Sequence, residues 1–161
     1  MNNSYILLLL TVLFCTATQS CKSPSAEITL SQKEEVVSEI QQRLDDYATA
    51  VTSKDLKGQL SFWSDSLVFA GDGIILGGLN EWAPIIQQDN DGADRWVHWT
   101  WDNVHILPLS RNTGSATVEF TYQKILVSGD TINGFGSWTY VLKRNSEGWQ
   151  VYQSNGHHPV R

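Results

Sequence analysis

Residues 47–69, YATAVTSKDLKGQLSFWSDSLVF, contain the three kinds of local structure from which the predicted fold is built. Small and apolar residues end a helix, and the polar triplet at 52–54 breaks it. Asp55 then suits a helix N-cap, because its carboxylate can accept a hydrogen bond from a free N–H in the first turn. Apolar residues between Ser66 and Phe69 predict a strand. The segment therefore predicts a helix, a short second helix and a strand in succession.

The helix that ends in this segment begins upstream. Ser31 and Glu34 have the spacing of a capping box, in which each side chain bonds a backbone N–H of the other residue. Apolar residues then recur every three or four positions, which predicts one buried face on a long amphipathic helix. The members of this face are Val36, Val37, Ile40, Leu44, Tyr47, Ala48 and Val51.

Downstream, a turn at 70–73 and a short strand at 74–76 precede a third helix, for which Asn80 is the predicted cap. From Trp96 the pattern changes to alternating segments separated by turn residues. These segments are 96–107, 115–127, 132–144 and 149–153. Helices followed by a meander of strands predict an α+β domain, in which three helices pack on one face of an antiparallel sheet.

Composition excludes several classes of protein. With 161 residues, 41% of them hydrophobic and 17% charged, the chain has enough apolar material for one folded domain. Its net charge is −6 and its eleven Lys and Arg residues are scattered, so a nucleic-acid partner is not expected. His98 and His105 fall on opposite faces of one strand, which makes a poor metal pair. We expect neither a metal nor a cofactor.

The first residues have the features of an export signal. Residues 5–13, YILLLLTVL, are apolar, and no charged residue precedes Lys22. This stretch is too short to cross a hydrocarbon core. Residues 18–21, TQSC, resemble the lipobox of bacterial lipoproteins, in which signal removal exposes the cysteine for lipid attachment. Ordinary cleavage that releases a soluble secreted protein is the alternative.

These features divide the chain into a signal peptide at 1–20, a flexible tether at 21–30 and a folded domain at 31–161. Removal of the signal also removes Cys15 and leaves Cys21 without a disulfide partner. We therefore expect an exported protein that contacts a membrane only through an N-terminal lipid, at the periplasm or the cell surface.

The order of elements and two motifs resemble the nuclear transport factor 2-like superfamily. Residues 47–56, YATAVTSKDL, followed by 62–69, FWSDSLVF, are similar to its pattern of a tyrosine, small residues, Asp-Leu and an aspartate before the first strand. Residues 147–151, EGWQV, resemble its last hairpin. The resemblance implies a cone, in which a strongly curved sheet wraps around the long first helix and leaves a pocket in the open end. Ketosteroid isomerase-like and SnoaL-like enzymes belong to this superfamily, together with subunits that only bind or assemble.

The resemblance also implies two catalytic candidates. Tyr47 falls where isomerase-like enzymes keep the tyrosine that donates a hydrogen bond to the developing enolate, an interaction that stabilises the transition state. Asp72 lies one residue beyond the position of their proton-transferring aspartate. Their second oxyanion acid has no counterpart in residues 136–141, GSWTYV. A core tyrosine and an ordinary turn aspartate are the alternatives for these two residues.

Strand parity predicts an aromatic wall. Val97, Trp99 and Trp101 share one face of their strand, and Tyr122 shares a face with the apolar residues of the next. Flat apolar walls with a few N–H or O–H groups suit a small apolar or cyclic ligand, although tryptophans can also simply fill a core. The predicted pocket residues are Trp63, Trp99, Trp101, Tyr122, Trp138, Tyr140 and His157; His157 is included because related chains often place a histidine at the pocket mouth.

Three functions therefore remain open from the sequence. The first is an exported domain that binds a small apolar or cyclic molecule. The second is an isomerase-like or cyclase-like enzyme that uses Tyr47 and Asp72. The third is a dimerisation module in which the open face of the sheet forms a homodimer, as is common in the superfamily.

Overall fold

The computed structural model describes residues 28–159, so the predicted signal peptide, Cys21 and most of the tether lie outside the described residues. Three helices and six strands make up this part of the chain, which confirms the predicted α+β class. In chain order they are α1 (Leu30–Thr52), α2 (Leu56–Ser61), β1 (Trp63–Gly71), β2 (Ile74–Gly77), α3 (Leu79–Gly92), β3 (Ala93–Ser110), β4 (Thr113–Leu126), β5 (Thr131–Asn145) and β6 (Gly148–His157).

The six strands form one open sheet in the order β2-β1-β6-β5-β4-β3. Hairpins join β3 to β6 in an antiparallel meander, as predicted, whereas β1 and β6 pair in parallel. The sheet is mostly antiparallel, as predicted, and this pair is the exception, because strands separated by most of the domain are not constrained by a short turn. Irregularities in the register of the 18-residue β3 bend the sheet into the cone-shaped fold that was expected.

Helix α1 is the element around which the sheet curves. Its predicted face is buried at Val36, Ile40, Leu44, Tyr47 and Val51, whereas Val37 is 37% exposed. Ile40 packs directly over Gly114 of β4, since a Cβ at that glycine would lie 2.5 Å from Ile40 Cδ1. The absence of a side chain at Gly114 thus lets α1 approach the sheet closely.

The helix termini differ in part from the predicted ones. The capping box of α1 is formed by Thr29 and Gln32, with Gln32 N 3.3 Å from Thr29 Oγ1 and Thr29 N 3.0 Å from Gln32 Oε1. The prediction of Ser31 and Glu34 was wrong because the same four-residue pattern occurs two positions earlier, and the helix begins at the earlier copy. No helix within residues 28–159 is long and apolar enough to cross a membrane.

Of the other two helices, α2 begins at its predicted cap and α3 does not. Asp55 caps α2 as predicted, and its Oδ1 lies 3.1 Å from Gly58 N. Helix α3 begins after Gly78, which has φ +107° and no capping side chain, so the predicted cap Asn80 lies inside the helix. A positive φ is tolerated by glycine without steric cost, and the turn from β2 into α3 therefore depends on this residue.

Candidate functional site

A cavity of about 280 Å³ lies between the helices and the sheet. We call it the aromatic cavity, because half of its lining residues are Phe, Trp or Tyr. The lining residues are Tyr47, Val51, Gln59, Trp63, Phe69, Asp72, Ile74, Trp82, Ile85, Ile86, Asp89, Trp96, Trp99, Phe120, Tyr122, Lys124, Trp138, Tyr140, Ser154 and His158. Some lining residues are also exposed to solvent, and they define the mouth of the cavity. They include Asp72, Ile74, Asp89 and His158.

Helix α3 contributes one face to this lining. Trp82, Ile85, Ile86 and Asp89 follow the i, i+3, i+4, i+7 spacing that places side chains on one side of a helix. Trp82 stacks on Phe69 of β1, with ring centroids 4.2 Å apart and planes 20° apart. The helix is therefore held against the sheet by the same aromatic contacts that enclose the cavity.

Strand β3 contributes two tryptophans through a bulge. The register shifts between Trp96 and His98, so Trp96 and Trp99 both line the cavity although they are three residues apart. The prediction that Val97 shares the face of Trp99 was wrong for this reason, and Val97 is 49% exposed. An extra residue on one strand reverses every facing assignment beyond it.

The aromatic rings of the wall hold one another in place. Trp99 stacks on Phe120 at 4.8 Å and on Tyr122 at 5.6 Å, with interplanar angles of 6° and 11°. Trp138 packs closely against two glycines, because a Cβ at Gly71 or Gly156 would come within 2.4 or 2.6 Å of its ring. The flat surface that a ligand would meet is therefore largely preformed.

One buried cation lies in this wall. The Lys124 side chain is only 10% exposed, and its ammonium group forms an ion pair with Asp89 of α3. The same group lies 4.8 Å from the centre of the Trp96 ring, within the range of a cation–π interaction. Lys124 thus links α3 to β4 across the cavity and its charge is already neutralised by Asp89.

Two buried tyrosines at the cavity remain neutral far into alkaline conditions. Burial raises the pKa of Tyr47 strongly, with a smaller contribution from the charge of Asp89 and a small opposing effect of Trp63. Burial also raises the pKa of Tyr140, and the neighbouring Tyr47 adds to that shift. Both hydroxyls therefore keep their protons and remain possible hydrogen-bond donors at neutral pH.

Asp72 and His158 form a pair at the mouth. Asp72 Oδ2 lies 2.7 Å from His158 Nδ1, and Asp72 Oδ1 accepts a 2.7 Å hydrogen bond from the backbone N–H of His158. Partial burial opposes ionisation of Asp72, but these two hydrogen bonds and the charges of His158 and His157 outweigh it and lower the pKa of Asp72. The isomerase hypothesis requires a carboxyl whose pKa is raised toward neutrality, and Asp72 is shifted in the opposite direction.

The structure brings most of the predicted site residues together. Among the predicted ligand-binding residues, those on the lining are Trp63, Trp99, Tyr122, Trp138 and Tyr140. Both catalytic candidates, Tyr47 and Asp72, also lie there.

Two predicted pocket residues lie elsewhere. Trp101 turns its indole N–H to the carbonyl oxygen of Leu44 at 3.0 Å and ties β3 to α1 instead of lining the cavity. His157 pairs with Ser137 and faces a shallow polar groove on the other side of the sheet. Because neighbouring residues of an extended chain point to opposite faces, His158 reaches the cavity and His157 does not.

Several cavity residues are missing from the sequence-based prediction. The helical spacing of Trp82, Ile85 and Asp89 was available as a signal, and so was the even spacing of Lys124 from Phe120 on the next strand. His158 carries no local signal, because its role depends on a contact with a turn 86 residues away. Within residues 28–159, no group of three or more His, Cys, Asp or Glu side chains is arranged to hold a metal ion.

Solved structures with this architecture are numerous and distant in sequence. A nuclear transport factor 2-like superfamily protein from Salmonella enterica has a TM-score of 0.69 at 15% identity, over 80% of this chain and 94% of that one. A ketosteroid isomerase-like protein from Erwinia carotovora atroseptica gives 0.66 at 14%, over 79% and 98%. A type 2 hexachlorocyclohexane dehydrochlorinase gives 0.68 at 15%, over 82% and 90%. At these identities the similarity shows the fold alone.

A comparison with family models identifies the family to which the chain belongs. A search of curated proteins found no match. Residues 40–159, however, match the SnoaL-like domain, and this range runs from the middle of α1 to the end of the described chain. The match includes every residue that lines the aromatic cavity. Because it spans most of the chain and the whole of the site, this protein belongs to the SnoaL-like domain family.

Proposed function

We propose that the aromatic cavity binds a small, largely apolar, ring-containing molecule. The observation that carries this proposal is an aromatic lining around about 280 Å³ of space. That volume lies near the lower end of ordinary ligand pockets, about 300 Å³, and so favours a molecule of one or two rings. Flat aromatic faces bind such rings by stacking and edge contacts.

Two neighbours in structure have names that agree with this ligand class. The ketosteroid isomerase-like protein and the hexachlorocyclohexane dehydrochlorinase are both named for ring compounds. An isomerase-like or cyclase-like reaction is the second candidate function, and the observation that favours it is the presence of Tyr47 and Asp72 on one lining. The proposed polar contacts for a bound ring are the Tyr47 hydroxyl and the groups at the mouth.

Binding can be tested by blocking the mouth. Ile74 and Ile75 are neighbours on β2; Ile74 lines the cavity, whereas Ile75 is 79% exposed and does not. Using 2-naphthol as the probe, we expect calorimetry to show saturable binding to the unaltered protein. Ile74→Trp should weaken this binding by more than about tenfold, which is 1.4 kcal/mol, because the indole occupies the entrance.

Ile75→Trp is the matched control, since it adds the same side chain on the opposite face of the strand. Equal weakening by both variants, or no binding of 2-naphthol and related ring compounds to the unaltered chain, would contradict the proposed pocket function. Retained circular dichroism of both variants would show that the fold is intact.

We further propose that the domain is exported and anchored through a lipid on Cys21, as its resemblance to a lipobox suggests. Expression in a bacterial host should then give a mature N-terminus at Cys21 with an added acyl mass in intact-protein mass spectrometry. Cys21→Ser should lose both the added mass and the association with the membrane fraction. A free, unacylated N-terminus in the unaltered protein would contradict anchoring and favour ordinary secretion.

A further inference from the structure

The mouth of the aromatic cavity lies at the end of the domain where α1 and α3 end. Asp89, near the end of α3, is part of this mouth. Lys54, which follows α1, donates a hydrogen bond from its ammonium group to the carbonyl oxygen of Ala93, the first residue of β3. The turn between β4 and β5 is at the same end, since the backbone N–H of Val127 lies 3.1 Å from the carbonyl oxygen of Gly92.

The beginning of α1 lies at the opposite end, which we call the far end. The β3–β4 turn and the last residues of β5 meet there, because the backbone N–H of Arg144 lies 2.9 Å from the carbonyl oxygen of Asn112. The Arg144 guanidinium in turn forms an ion pair with Glu39 of α1. The described chain therefore begins at the end of the domain that is remote from the mouth.

Four exposed apolar side chains lie at the far end. Leu30 is 73% exposed and Val37 is 37% exposed, and their spacing of seven residues places them on one side of α1. On β3, Leu107 and Leu109 are 61% and 54% exposed and share one side of the strand. We call these four residues the far-end patch.

The length of chain between Cys21 and the folded domain limits which end can reach a membrane. Seven residues separate Cys21 from Ile28, and even fully extended they span at most about 25 Å. Ile28 packs against the core, so the far end is held at the end of this span. Helix α1, with 23 residues, places the mouth about 34 Å beyond the far end. A lipid on Cys21 would therefore keep the far end nearer to the membrane than the mouth.

The distribution of charge favours the same orientation. Acidic side chains outnumber basic ones at the mouth end, where the structure has Asp55, Asp72, Asp89, Asp91, Asp94 and Asp130 against Lys54, Lys57, Arg95 and Lys124. The two signs are balanced at the far end, with Lys33, Arg111, Lys143 and Arg144 against Glu34, Glu35, Glu39 and Glu147. A surface of anionic lipids therefore repels the mouth end more than the far end.

We propose that the far-end patch docks on the lipid surface that holds the acylated Cys21, and that the mouth of the aromatic cavity faces away from the membrane. This inference rests on the proposed lipid anchor and goes beyond it, because it adds a second membrane contact and an orientation. Exposed leucines of this kind can enter the boundary between headgroups and acyl chains. A ligand then enters the cavity from the aqueous phase rather than from the bilayer.

The test compares two turns at opposite ends of the acylated protein. Ser110→Cys lies beside the far-end patch, and Ser128→Cys lies in the β4–β5 turn; both serines are exposed. Signal removal eliminates Cys15 and the lipid occupies the sulfur of Cys21, so the introduced cysteine is the free thiol available for labelling with bimane. Each labelled protein is bound to vesicles of phosphatidylethanolamine and phosphatidylglycerol, with and without a nitroxide on the lipid headgroups.

We expect the nitroxide to lower bimane fluorescence by about twofold or more at Ser110→Cys, because docking brings this turn to the headgroups. Fluorescence at Ser128→Cys should be unchanged. Equal quenching at both positions, quenching at Ser128→Cys alone, or quenching at neither position would each overturn the proposed orientation.

A second comparison separates docking from mere closeness to the tether. Leu30→Asp combined with Leu109→Asp should abolish quenching at Ser110→Cys, since a carboxylate is costly to transfer into the lipid boundary. Ile75→Asp is the matched control; Ile75 is equally apolar and exposed but does not belong to the far-end patch, so quenching should persist. Persistent quenching in the double variant would show that the tether alone orients the domain, and would overturn docking by the patch.

The anchor and the pocket function are tested separately from this orientation. Intact-protein mass spectrometry comes first, and absence of an acyl mass on Cys21 would overturn the anchor and this inference together. Neither Leu30 nor Leu109 lines the aromatic cavity, so the double variant should retain its circular dichroism and its affinity for 2-naphthol. Loss of either would show that the far-end residues support the fold or the cavity, and would contradict their assignment to a docking surface.

Discussion

Replacing Phe120 by alanine is expected to lower the free energy of unfolding by about 3–5 kcal/mol, the range for loss of a large buried aromatic side chain. Phe120 is 2% exposed and stacks on Trp99 with ring centroids 4.8 Å apart. Its ring also lies edge-on to Trp101 at 6.0 Å. The substitution therefore removes buried apolar area together with contacts to two tryptophans, Trp99 of the cavity wall and Trp101 of the contact between β3 and α1.

Urea unfolding followed by circular dichroism would measure this change. Val127→Ala is the control; Val127 is 72% exposed, and an exposed truncation should stay within about 0.5 kcal/mol of the unaltered protein. Because Phe120 borders the aromatic cavity, the space it vacates should join the cavity, and 2-naphthol should restore part of the lost stability. A loss below about 1 kcal/mol would contradict the central position of Phe120 in the core.

Replacing Gly156 by alanine is expected to cost about 1–3 kcal/mol, the usual cost of forcing a methyl group into packed space. The added Cβ would lie 2.3 Å from the backbone oxygen of Ser137 and 2.6 Å from the Trp138 ring. The clash with the Ser137 oxygen can be relieved only by a shift of the β5 and β6 backbones, and the clash with Trp138 only by displacement of its ring. Since Trp138 lines the cavity, probe binding should weaken together with stability.

Gly77→Ala provides the comparison for this substitution. A Cβ at Gly77 would meet nothing within 4 Å, so the change tests the replacement of a strand glycine without the clash. We expect unfolding midpoints and 2-naphthol affinity of this variant to match those of the unaltered protein. An unchanged affinity of Gly156→Ala for 2-naphthol in calorimetry would show that the position of the Trp138 ring does not determine the shape of the cavity.

The elements that follow from local pattern were predictable. The buried face of α1 at Ile40, Leu44 and Tyr47 follows from helical periodicity, and Asp55 caps α2 by a contact within one turn. The meander of β3 to β6 follows from alternation and turn residues. In each case the interaction that decides the structure joins residues close in the chain, so it is visible in the sequence.

The face of the sheet on which an individual side chain lies was less predictable. The bulge after Trp96 places Trp96 beside Trp99 and turns Val97 outward. No turn residue or glycine at 96–98 indicates this bulge in the sequence. The parallel pairing of β1 with β6 likewise depends on a contact between distant segments. Parity arguments depend on an unbroken strand, so one extra residue is enough to reverse them.

By itself, the sequence determined the class of the fold, the long first helix, the meander and the presence of many aromatic residues from which the site is built. Each of these depends on periodicity or composition. Only the tertiary structure decided which aromatic residues enclose the cavity, that Trp101 bonds to α1, and that His158 rather than His157 meets Asp72. Those outcomes require segments far apart in the chain to meet at distances of a few ångströms. Distances of that kind are set by the packing of the whole domain, and no local pattern encodes them.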